Sequence, residues 1–195
     1  MQTDDIQRLL APFLPAPLAP EQLTKLKAYL ELLVKWNAKT NLTSVRDPRE
    51  MVTRHFGESL FAASQLSEPA TLIDFGSGAG FPGVPMAIWW PEAKVTLVES
   101  QNKKATFLKE VARSLPLPNV SVFSGRAEEL KQQAELVTMR AVDKFDAALP
   151  VAKSLVAPGG RLALLIGESD AKRIGANIIA PMPQSKERIL ASLFL

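Results

Sequence analysis

The chain has 195 residues, 23 basic against 20 acidic side chains and a net charge of +3, with 47% hydrophobic and 22% charged residues. This is the make-up of a soluble globular protein able to bury one real core and carry a small appendage. It has no cysteine and one histidine, His55, which excludes disulfides, thiolate nucleophiles and multi-histidine metal sites. No apolar run approaches the roughly 20 residues of a membrane span. The opening MQTDDIQRLL lacks the basic start of a secretory signal. A cytoplasmic monomer with no membrane partner and no bound metal is expected.

A short leading helix is predicted to stop at APFLPAPLAP (11–20), whose prolines cannot sustain a helix interior. From Glu21 to about Asn37, Leu23, Leu26, Leu30 and Leu33 recur at three- and four-residue spacing, the stripe of an amphipathic helix. A further helix begins after Asp47-Pro48, with proline in its first turn, and runs through Met51, Phe56, Leu60 and Phe61. Residues 24–54 hold seven cationic side chains against three acidic ones, an excess that suits a phosphate backbone or a solvated helix face equally well.

After SEPA (67–70) short apolar runs alternate with helical segments: TLIDF, KVTLVES, VSVFSG, LVTMRAV and RLALLIG. VPMAIWW, KKATFLKEVARSL and RAEELKQQAE supply the intervening helices, and RILASLFL (188–195) reads as a last, edge-paired strand. Alternation of this kind predicts right-handed crossovers and a mostly parallel, doubly wound α/β sheet of Rossmann-like type. Residues 1–68 form a helical N-terminal cap, and 69–195 the ligand-binding domain.

The loop after the first strand of such a sheet lies at the ligand-binding edge. Here it reads DFGSGAGFPG, with Gly76, Gly78 and Gly80 spaced two apart behind Asp74. The dinucleotide fingerprint is G-x-G-x-x-G, and the departure from it points away from a pyrophosphate. The spacing resembles the first motif of S-adenosylmethionine-dependent methyltransferases, in which Asp74 would face or support the cationic end of the cofactor. Glu99 closes the second strand, 23 residues beyond Gly76, where an acid accepts hydrogen bonds from ribose hydroxyls. Ala127 and Glu128 in GRAEEL stand beside the expected adenine, although AEEL is equally a helix start with acids at its positive end.

Taken together, LLVKWNAKTNLTSV (32–45), RHFGESL (54–60), DFGSGAGFPGVP (74–85), VTLVESQNKKATFLKEV (95–111), GRAEEL and VTMRAV (137–142) resemble the RsmG (GidB) family, the 16S ribosomal RNA guanine-N7 methyltransferases. The resemblance covers nearly the whole chain. It implies S-adenosylmethionine as cofactor, with contacts at Gly76, Phe81, Ala127, Glu128 and Arg140. It also implies a single 16S guanine (guanine 527 in the usual rRNA numbering) as target, met within the small ribosomal subunit. Arg54, His55, Lys103 and Lys104 are candidate RNA contacts. For His55 a structural role between helices is the stronger reading, and Asn41 is read as a turn stabiliser.

Three departures stand out. Glu58 replaces the family's usual aspartate, Ile166 replaces a common lysine at the RNA-facing rim, and the C-terminal segment is short and apolar. None is expected to touch the cofactor pocket. An NAD-dependent oxidoreductase would share Glu99 but needs the dinucleotide spacing and a proton relay, and a non-catalytic RNA-binding module would not need an intact loop. Exocyclic-amine methyltransferases carry an Asn/Asp-Pro-Pro-aromatic motif, absent here, and cytosine-C5 enzymes need a cysteine.

Overall fold

The computed structural model describes residues 1–142 and 144–195. Helix α1 (Thr3–Leu10) and a 3-10 turn (Ala11–Phe13) precede the long helix α2 (Pro20–Thr40). Proline at the first position starts α2, and Gln22 Oε1 accepts the Ala19 amide at 3.0 Å, satisfying a donor that the helix start leaves unpaired. Leu26, Tyr29, Leu30, Leu33 and Asn37 are its buried face, so an asparagine ends the leucine stripe. Asn41 terminates the helix in the left-handed region at φ 50°, which asparagine tolerates.

Asp47 caps the next helix by accepting the amides of Arg49 and Glu50 at 3.3 and 3.2 Å. The chain then runs through α3 (Pro48–Glu50), a π-helical segment (Met51–Gly57) and α4 (Glu58–Ser64) without interruption. Insertions of this kind are frequent at functional sites, and this one carries Arg54 and His55.

The sheet holds seven strands: β1 (Thr71–Phe75), β2 (Lys94–Glu99), β3 (Val120–Ser124), β4 (Ala134–Arg140), β5 (Val156–Gly167), β6 (Asn177–Pro181) and β7 (Arg188–Phe194). Their order is β3-β2-β1-β4-β5-β7-β6. The first five are parallel, and β7 runs antiparallel to both β5 and β6. Helices α5 (Gly83–Trp89) and α6 (Asn102–Ser114) serve the early crossovers, while α7 (Phe145–Ser154) and α8 (Glu168–Arg173) flank β5. One apolar cluster joins Ile6, Leu26, Tyr29 and Phe56 of the N-terminal helices to Leu72, Leu97 and Leu165 of the sheet. A second lies on the opposite face with Val137, Leu164 and Ala152.

Two expectations are corrected. RILASLFL is not the edge strand, because β6 pairs outside it. RAEELKQQAE forms only a 3-10 turn, Ala127–Glu129. The chain must go from the end of β3 to the start of β4, three strand positions across at about 4.8 Å each and roughly 17 Å back along the sheet. That is more than 20 Å. Ten residues of helix reach about 15 Å, whereas extended chain reaches about 33 Å. Distance overrides helix propensity, and the segment is tied down by Gln132 to Thr96 Oγ1 (2.8 Å) and Gln133 to the Ser154 and Val156 carbonyls (3.0 and 3.1 Å).

Candidate active site

The chain leaves β1 for β2 on one side, and β4 lies on the other, so the carboxyl end of β1 is the topological switch point. Asp74 is fully buried there. Its Oδ2 accepts the Gly83 amide at 3.1 Å and its Oδ1 the Thr138 hydroxyl at 2.8 Å. One carboxylate therefore ties the far end of the glycine loop to β1 and β1 to β4. Burial pushes its pKa up to about 6, against the opposing hydrogen bonds of Thr138, Ser77 and Gly83 and the charge of Arg140.

Gly76, Gly78 and Gly80 all have positive φ, at 66°, 59° and 97°. Gly80 also has no room for a side chain, because a Cβ would stand 2.6 Å from Tyr29 Oη and 2.7 Å from Val84 Cγ2. Asp74 and Gly80 thus shape the loop from behind and do not wall the cavity. Glu99, 6% exposed, does. Its Oε2 accepts the Gly78 amide at 2.9 Å and its Oε1 that of Gln101 at 2.8 Å.

Two cavities meet at this carboxylate. One, of ≈ 390 Å³, lies over β2 and β3, with Val98, Ala127, Glu128 and Ala148 among its walls. The other, of ≈ 400 Å³, lies under the N-terminal helices, with Thr43, His55, Gly78, Phe81, Lys104 and Arg140. Gly76, Glu99, Ser100 and Val142 line both, so the two form one trough along the strand ends. Lys104 is on its wall, whereas Lys103 is exposed on α6 and touches neither cavity. Glu128 is exposed and paired with Arg126 at 2.8 Å.

Arg140, at the end of β4, is the most heavily engaged group in the trough. Its Nη2 faces three acceptors: the Arg54 carbonyl at 3.0 Å, Glu58 Oε2 at 3.1 Å and His55 Nδ1 at 3.2 Å. A guanidinium can only donate, so His55 Nδ1 carries no proton. The proton sits on Nε2, which contacts Thr43 Oγ1 at 2.9 Å. Burial, reinforced by Arg140, Arg54 and Arg188, holds the His55 pKa down at about 3. This histidine is neutral with both nitrogens engaged. Its ring stacks on Phe81 with centroids 4.7 Å apart.

Behind it, Tyr29 stacks on Phe56 at 5.1 Å and donates its hydroxyl to the Ala79 carbonyl at 2.5 Å. Asn37 holds the 43–45 turn, taking the Thr43 amide at 2.9 Å and donating to the Val45 carbonyl at 3.1 Å. Asn41 Oδ1 accepts from Arg46 at 2.5 Å, in keeping with a turn-stabilising role. Two residues of this construction escaped the sequence reading. Asn37 was readable as the polar residue that continues the Leu26–Leu30–Leu33 stripe. Tyr29 carried no signal beyond being apolar.

Glu58 lines neither cavity of the trough but reaches it through Arg140. It is 1% exposed and holds Arg140 directly. Ile166, 9% exposed, packs in the second core cluster.

The profile of the GidB family, described as rRNA small subunit methyltransferase G, matches residues 22–189. The chain belongs to this family. The ribosomal RNA small subunit methyltransferase G of Xanthomonas euvesicatoria pv. vesicatoria is 46% identical over 150 residues, 76% of this chain and 70% of that protein. That of Anaeromyxobacter sp. is 41% identical over 169 residues, 84% of this chain and 78% of that one. A SAM-dependent methyltransferase from Aquifex aeolicus shares the fold at a TM-score of 0.62 with 14% identity, covering 80% of this chain and 97% of that one. As a member of the GidB family the protein is an S-adenosylmethionine-dependent ribosomal RNA methyltransferase. No helix among the described residues is long and apolar enough to cross a membrane.

Proposed function

We propose that the trough binds S-adenosylmethionine across Glu99 and that the methyl group passes to N7 of one guanine of 16S ribosomal RNA. The observation that carries this reading is the single Glu99 carboxylate at the junction of the two cavities, hydrogen-bonded to the glycine loop. The walls suit such a ligand. The apolar cavity with Val98, Ala127 and Ala148 takes the adenine, and Glu99 takes the ribose hydroxyls. The backbone at Gly76 and Gly78, with Lys104 and Arg140, takes the amino-acid end.

When bound, this cofactor supplies an electrophilic methyl on a sulfonium sulfur. N7 of guanine has an in-plane lone pair and no proton, so no base is needed. His55 fits that chemistry, because a neutral imidazole with both nitrogens engaged cannot take a proton in transit. The residues of the trough act by holding the reacting groups in line and keeping water out. Arg140 Nη2 shares its two hydrogens among three acceptors, and Phe81 is fixed between His55 and Tyr29. The assembled subunit is the proposed substrate, since a net charge of +3 gives modest general attraction for RNA.

Small subunits from cells lacking the gene, incubated with radiolabelled cofactor, should take label on one 16S guanine at N7. No label, despite calorimetric binding of the cofactor, would sink the substrate assignment. Equal activity on naked 16S RNA would sink the preference for the subunit.

A further inference from the structure

Beyond Arg140, and sharing Arg54, Arg140, Ala141 and Val142 with the trough, lies a further cavity of ≈ 290 Å³. Arg54, Arg140 and Arg188 stand on its wall, with Phe145 and Ile166 as apolar surface and Asp170 as its acid. Arg188 opens β7 opposite Gly167 at the end of β5. Its Nε and Nη2 donate to Glu58 Oε1 at 3.0 and 2.5 Å, while Glu58 Oε2 takes Arg140 at 3.1 Å.

One buried carboxylate therefore holds two guanidinium groups and can offset only one positive charge. Among the described residues, Nη1 of Arg188 has no hydrogen-bond partner, and the side chain is 35% exposed. Arg54 is 45% exposed, with a long 3.4 Å contact to Glu50. Asp170 is engaged by Arg173 at 3.0 Å. The same pair, Arg54 and Arg188, also lines an outer cavity of ≈ 280 Å³ together with Thr53, Gln184 and their acidic partners Glu50 and Glu58. The two arginines form a ridge that runs from Arg140 to the surface.

We propose that Arg188 and Arg54 are a two-arginine grip on an RNA backbone phosphate beside the target guanine. This rests on the reading of the protein as an RNA methyltransferase. Guanidinium groups suit a phosphate because they present paired donors and shed water easily. Glu58 aims Arg188 by occupying its inner edge and leaves the outer edge for the ligand. The nucleotide's apolar surface rests against Phe145 and Ile166. The C-terminal strand thus supplies a substrate contact, though its sequence reads as apolar.

The test is methyl transfer to deficient small subunits with R188Q, R188K and R54Q at several salt concentrations, with cofactor affinity measured by calorimetry. R188Q should raise KM for the subunit roughly ten-fold, with kcat and cofactor affinity within about two-fold, and R54Q should raise that KM to a similar extent. The slope of log affinity against log salt should fall by about one in each, and R188K should retain it. R188Q that weakens cofactor binding or kcat with an unchanged slope would overturn the proposal and leave Arg188 as a prop for Glu58. Should R188Q fail to fold, R54Q decides, because an exposed arginine leaves no buried charge behind. An unchanged slope in R54Q overturns the grip. A wild-type protein that transfers no methyl group would instead overturn the functional reading beneath it.

Discussion

Replacing Gly80 and Gly78 separately by alanine should split folding from binding. At Gly80 the new Cβ would stand 2.6 Å from Tyr29 Oη, 2.7 Å from Val84 Cγ2 and 3.1 Å from Leu108 Cδ2, at φ 97°. The backbone strain costs about 1–2 kcal/mol. Overpacking costs about 1–3 kcal/mol, and a Tyr29 hydroxyl pushed off the Ala79 carbonyl leaves a buried acceptor unpaired at about 1–3 kcal/mol. Together these come to about 3–8 kcal/mol, a fall in Tm of roughly 6–32 °C for a chain of this size. At Gly78, with φ 59°, nothing but the Gly76 carbonyl oxygen, at 3.9 Å, lies within reach. The methyl group enters open space on the cavity wall, so stability should fall by only about 1–2 kcal/mol while cofactor affinity drops. Thermal unfolding and calorimetric cofactor titration of both variants make the comparison. If Gly80→Ala keeps its Tm, or Gly78→Ala binds cofactor normally, the division of labour within the loop is refuted.

The pH dependence of stability should expose two opposing groups. Asp74, raised to about 6 from 3.8, contributes stability that is present at low pH and lost as pH rises through 6. His55, lowered to about 3 from 6.5, contributes stability present above 6.5 and lost as pH falls towards 3. Between pH 4 and 6 each amounts to about 1.4 kcal/mol per pH unit with opposite sign. In urea unfolding, Asp74→Asn should therefore lose stability on acidification more steeply than wild type, and His55→Gln less steeply. Three parallel curves would show that neither group is perturbed. Glu99→Gln should weaken cofactor binding about ten-fold by calorimetry, with a much smaller change in unfolding midpoint; unchanged affinity would remove Glu99 from the site. Asn37→Ala deletes two hydrogen bonds to the 43–45 turn and should cost about 2 kcal/mol. It should also lower kcat, since Thr43 steadies His55. Chemical unfolding and steady-state kinetics check both, and a stable, fully active variant would contradict the link.

The parts of the site that sequence makes legible are those whose chemistry is local. A strand followed by glycines at two-residue spacing, and an acid at the end of the next strand, announce themselves within a few dozen residues. The contacts of Glu58 with Arg140 and Arg188 do not, since they span 82 and 130 positions, and an arginine opening an apolar strand looks like any exposed charge. β6 escaped for a related reason. NIIAP is short, ends in proline and takes its pairing from β7, so nothing within the segment marks it as a strand. RAEELKQQAE does not form the predicted helix, because propensity is local whereas the span it must cover is set by strand order.

The N-terminal cap is part of the site by construction. The glycine loop has three residues in a conformation that an L side chain resists, and it has little side chain of its own with which to pack. Its rigidity is supplied from outside. Tyr29 of α2 holds the Ala79 carbonyl, and His55 of the π-helical segment lies flat on Phe81. From within the sheet, Asp74 holds Gly83. The same His55 receives Arg140 from β4, and Glu58, three residues on, joins Arg140 to Arg188 at the start of β7. One seven-residue π-helical stretch and the helix it feeds, Met51–Gly57 and Glu58–Ser64, thereby fix the loop, the end of β4 and the C-terminal hairpin against each other. A ligand in the trough and an RNA phosphate on the ridge would be held by opposite faces of the same arginine–glutamate cluster.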